Sequence, residues 1–71
     1  MPAEVEGLLA VIKAFARQKS LDFQEWVDFC IYPEMVGEWL NSGLSTTAIK
    51  KQVEEKYALY NKQHKYLSSL A

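Results

Sequence analysis

Only one cysteine, Cys30, occurs in the chain, so no internal disulfide can form; with a single histidine, His64, a structural zinc site cannot be assembled either. A small domain without these staples points to a reducing compartment, and the expectation is a cytoplasmic protein. Glycines are few and isolated (Gly7, Gly37, Gly43), which leaves no Gly-rich loop to cradle a phosphate. No apolar run approaches the ~20 residues of a membrane span. The start, Met1-Pro2-Ala3-Glu4, has neither the basic nor the apolar region of a signal peptide. Charge of one sign is also missing: eight Lys/Arg against nine Asp/Glu give −1, which removes the simplest case for a general nucleic-acid coat.

What is present is the composition of a folding chain. Apolar residues make up 49% and charged residues 24% of 71 residues, near the globular average. Surface scaling for 8.2 kDa gives roughly 12,000 Å² exposed unfolded and about 4,500 Å² folded. That is enough for one core, and residues 1–71 are expected to form a single helical domain.

Helical periodicity dominates. Over Glu4–Gln18, Val5, Leu8, Leu9, Ile12, Phe15 and Ala16 form one broad stripe, with Arg17 and Lys19 at the end where the helix dipole favours cations. Ser20 is placed to cap a second helix, Leu21–Tyr32, whose face is Phe23, Trp26, Val27 and Cys30. This helix is apolar nearly all round, so it is expected at the centre of the fold. Pro33 starts a third helix, Pro33–Ser42, which turns Met35, Val36, Trp39 and Leu40 inward and stops at Gly43 in the left-handed conformation. Ser45 caps a fourth segment from Thr46 to about Leu70. There Ile49, Val53, Tyr60, His64 and Leu67 keep one phase, opposite Lys50, Lys51, Glu54, Glu55, Ala58, Asn61, Lys62 and Lys65. The stripe favours one continuous helix of roughly 38 Å.

Little of this looks like catalytic equipment. Cys30 lies on an apolar stripe and reads as a buried structural thiol, since a reactive thiolate needs an electropositive pocket. His64, at the stripe edge beside Tyr60 and Leu67, reads as a half-buried interfacial residue. No enzymatic activity, cofactor, metal or small-molecule substrate is expected. The aromatics say more. Phe15, Phe23, Trp26 and Trp39 fall on inward stripes, but Phe29, Tyr32, Tyr60 and Tyr66 are not easily buried in so small a body. Charge is divided as well. Residues 1–43 carry three basic and seven acidic groups (−4), and residues 44–71 five basic and two acidic (+3).

The run Trp39-Leu40-Asn41-Ser42-Gly43-Leu44-Ser45-Thr46-Thr47-Ala48-Ile49-Lys50-Lys51-Gln52-Val53 resembles the opening of helix-turn-helix domains in DNA-binding regulators and recombinases. The resemblance covers residues 39–70. It implies a supporting helix over 45–56, a turn over Tyr57–Tyr60 and a recognition helix over 61–70. Asn61, Lys62, Gln63, His64 and Lys65 would then face DNA, with Lys50 and Lys51 near the backbone. The chain departs from the pattern in having Lys50 where the supporting helix usually has a small residue, and no Gly over 57–60.

The expected architecture is all-α: three short helices packed on a long C-terminal helix, a small orthogonal bundle, as a homodimer. The expected function is that of a small regulatory or adaptor protein that binds a protein partner, with Phe29, Tyr32, Tyr60, His64, Tyr66, Leu67 and Leu70 at the interface. The alternative is a helix-turn-helix-type transcriptional regulator.

Overall fold

A computed structural model describes the backbone of residues 3–70 and the side chains of residues 3–64. Four helices follow one another: α1 (Ala3–Lys19), α2 (Leu21–Cys30), α3 (Pro33–Asn41) and α4 (Thr46–Leu70). No strand occurs among the described residues.

The breaks lie where local chemistry puts them. Ser20 Oγ accepts from the Phe23 N–H at 3.0 Å and Ser45 Oγ from the Ala48 N–H at 3.1 Å, so α2 and α4 both open on a serine cap. Pro33 begins α3, where its missing N–H costs nothing. At the far end of α3, Gly43 adopts φ 81°. There the Gly43 N–H donates to the Leu40 carbonyl and the Leu44 N–H to that of Trp39, the paired bonds of a Schellman stop.

Helix α2 ends at Cys30, two residues earlier than the periodicity predicts. Ile31 leaves the helix in extended conformation and Tyr32 serves as the cap of α3. The residue before a proline is disfavoured in the helical region, and that preference overrides the apolar pattern. Released from the helix, Ile31 turns into the core and is buried.

Two glycine replacements are expected to act in opposite directions. Neither position has a neighbouring atom within 4 Å of an added methyl group. Gly43→Ala should cost about 1–2 kcal/mol because an L-residue is strained at positive φ. Gly7→Ala, on an exposed helical site, should add up to about 1 kcal/mol. Urea titration of the two variants measures both shifts.

The core comprises Val5, Leu8, Ile12 and Ala16 from α1, Phe23 and Val27 from α2, Ile31, Val36 from α3, and Ile49 and Val53 from α4. Helix α1, 17 residues long, packs against each of the other three, and α2 also packs on α4. The central element is thus α1, contrary to the expectation for α2. The outer face of α2 stays uncovered, with Leu21 and Phe29 exposed. Two ion pairs tie α1 to its neighbours: Lys13 to Asp28 at 3.4 Å and Lys19 to Glu54 at 3.1 Å. Both are well solvated and contribute at most about 1 kcal/mol each.

The 25 residues of α4 run without interruption, so Tyr57–Tyr60 are helical and form no turn. The molecule measures 43 × 22 × 20 Å. Its accessible surface of 5155 Å² exceeds the roughly 4,500 Å² of a compact chain of this mass. The excess follows from α4, whose ~38 Å outrun the nine- and ten-residue helices beside it.

Candidate interaction face on helices α2 and α4

Beyond Val53 the inward stripe of α4 meets α2, and the contact is aromatic. The Phe23 and Tyr57 rings stack at 4.3 Å with planes 2° apart. Trp26 lies 5.3 Å from Tyr57 and 6.1 Å from Tyr60, tilted to both. Tyr57 and Tyr60, three residues apart on the helix, have centroids 6.4 Å apart, and His64 continues the series on Tyr60 at 5.8 Å and 13°. At the buried end Phe15 meets Phe23 edge-on at 6.2 Å. A run of rings thus leads from the core outward along α4 (buried Phe23, half-buried Tyr57, exposed Tyr60 and exposed His64). Parallel offset rings and edge contacts both suit the aromatic quadrupole, at about 0.5–1.5 kcal/mol per pair beyond area.

Two grooves lie against this run. The first, about 350 Å³, is walled by Asp22, Glu25, Trp26, Phe29 and Cys30 of α2 and by Tyr57, Tyr60, Asn61 and His64 of α4. The second, about 260 Å³, shares Trp26, Cys30 and Tyr60 and is completed by Ile31, Met35, Lys56, Leu59 and Gln63. Phe29 at 75%, Leu59 at 57% and Tyr60 at 44% exposure put large apolar groups into water beside them. Phe29 and Tyr60 line the first groove and Leu59 and Tyr60 the second, so these exposed side chains are clustered along the grooves.

Of the residues expected at a protein interface, Phe29, Tyr60 and His64 meet at the first groove. Tyr32 is exposed at the α2–α3 junction, and the side chains of Tyr66, Leu67 and Leu70 lie outside the described residues. Of those expected at DNA, Lys50 is half-buried with its ammonium 5.4 Å from the Phe15 ring centroid, where Lys19 sits at 5.3 Å as well. Asn61 lines the first groove and Gln63 the second, Lys51 and Lys62 are exposed, and the Lys65 side chain lies outside the described residues. Cys30 is half-buried at both grooves, less enclosed than its place on an apolar stripe predicts.

Three residues of the face were not singled out from sequence. Asp22 and Glu25 are charged residues near the start of α2 and Trp26 falls on its inward stripe; the signal that could have found them is their shared spacing with Phe29 on one side of the helix. Among the described residues no three His, Cys, Asp or Glu side chains converge as metal ligands, and no helix is long and apolar enough to cross a membrane. No protein-family model matches the chain, and comparisons with curated proteins and with solved structures give no match.

Proposed function

We propose that this protein acts by binding and not by catalysis: a small cytoplasmic regulatory or adaptor protein that docks on protein through the aromatic and aliphatic face of α2 and the outer half of α4, and that self-associates as a homodimer. The observation that carries this reading is the exposure of Phe29 beside an aromatic-walled groove. Phe29, Leu59 and Tyr60 already have part of their surface covered. At about 1.5–3 kcal/mol per fully buried side chain, covering the remainder would contribute on the order of 3–5 kcal/mol before association costs. For a chain whose own core is small, a second molecule is the most economical cover.

The competing reading is DNA binding, and two measurements separate them. Sedimentation at tens of micromolar is expected to show concentration-dependent association, and a gel shift against a random-sequence duplex at low salt is expected to show no retardation. A strict monomer that retards DNA, and stops doing so when Lys62 and Lys65 are changed to Glu, would reverse the ranking.

A further inference from the structure

The first groove carries a charge and ring pattern that specifies what enters it. Asp22 and Glu25 stand three residues apart on α2, hence on one side of the helix, and both line the groove. Neither is in an ion pair among the described residues. Beside them on α2 stand Trp26 and the largely exposed Phe29, and the facing wall on α4 adds Tyr57 and Tyr60, against which Trp26 packs. Among the described residues no lysine or arginine lines it. Two carboxylates repel a phosphate or a carboxylate ligand, while aromatic faces attract a cation within about 6 Å of the ring centroid, Trp most strongly. The fold already uses this pairing elsewhere, with the ammonium groups of Lys19 and Lys50 at 5.3 and 5.4 Å from the Phe15 ring. A volume of about 350 Å³ lies at the low end of ligand pockets, which run from about 300 to 1,000 Å³. It suits one or two side chains better than a cofactor.

We propose that this groove is a receptor for a lysine or arginine side chain presented by a basic, otherwise apolar segment of a partner protein. The proposal rests on the protein-docking reading and names the chemistry of the partner. The cationic head lies between Asp22 and Glu25 and the rings of Trp26 and Tyr60, and the aliphatic stem of the same side chain runs along Phe29. An arginine has the additional option of stacking its planar guanidinium on Trp26.

The test is a titration followed by the indole N–H resonance of Trp26, with that of Trp39 as the internal reference. The probes are a capped Leu-Arg-Leu-Arg-Leu peptide and the same peptide with citrulline in place of arginine, which keeps shape and removes charge. The arginine peptide is expected to move the Trp26 resonance saturably and leave Trp39 nearly still. The citrulline peptide should bind about tenfold more weakly, as should the arginine peptide to the Asp22→Asn, Glu25→Gln double variant. His64→Lys, which places a cation at the groove's own wall, should also weaken the arginine peptide. Equal binding of both peptides overturns cation recognition and leaves apolar docking through this face standing. Failure of either peptide to move Trp26 at millimolar concentration overturns the site. Failure together with strictly monomeric sedimentation overturns the docking reading as well.

Discussion

Replacing Ile12 by Ala should lower the free energy of unfolding by about 2–5 kcal/mol, the range for truncating a buried Ile. The side chain is 0% exposed, in the helix that packs on the other three. A chain of this length holds roughly 4–11 kcal/mol in all, so this one change removes a large share of the stability. The adjacent Val11→Ala is the control: at 43% exposure it should shift stability by about 0.5 kcal/mol or less. Urea unfolding monitored by circular dichroism separates the two, and similar midpoints for the pair would contradict the assignment of α1 as the central element.

The second large effect is expected at the α2–α4 face. Phe29→Ser together with Tyr60→Ser should weaken self-association by about 30-fold or more, since buried aromatic anchors typically cost 2 kcal/mol or more when removed from an interface. Phe29 is mostly exposed in the single molecule, so its replacement should leave the urea midpoint nearly unchanged. Tyr60→Ser also gives up ring contacts with Trp26, Tyr57 and His64 and should lower the midpoint while the folded state keeps its helical signal. Lys51→Glu with Lys62→Glu, also exposed, should alter association mainly through its rate and salt dependence. Sedimentation velocity over a concentration series reads both pairs. Association lost with the lysine pair and retained with the aromatic pair would place the contact on the basic arc of α4 instead.

How much of this could be read from the residues depends on how local the determinant is. Ser20, Pro33, Gly43 and Ser45 act within three residues of themselves, and the helix boundaries they set agree with the sequence reading to within one or two positions, Ile31–Tyr32 marking the widest difference. The stripes of α1 and the first half of α4 are likewise local, and Val5, Leu8, Ile12, Ala16, Ile49 and Val53 are buried as their spacing predicts. What periodicity does not encode is how far each neighbour extends. Trp26 and Tyr60 sit on inward phases, yet α1 does not reach far enough to cover them, so they line grooves. Apolar residues on every side of α2 point to a central helix, whereas Leu21 and Phe29 face solvent. Asp22 and Glu25 gained a second meaning only once residues 57–64 of α4 were laid alongside them.

The position of α1 also bears on how the chain matures during synthesis. Its stripe is made first, but Ile49 and Val53, which close over it, come about 40 residues later. At about 5–20 residues per second that is an interval of roughly 2–8 s. During it Ile12 and Val36 have only part of their final cover. Released chains truncated short of Ile49 should therefore bind a hydrophobic dye and be cut readily by protease within α1, and the full chain should not.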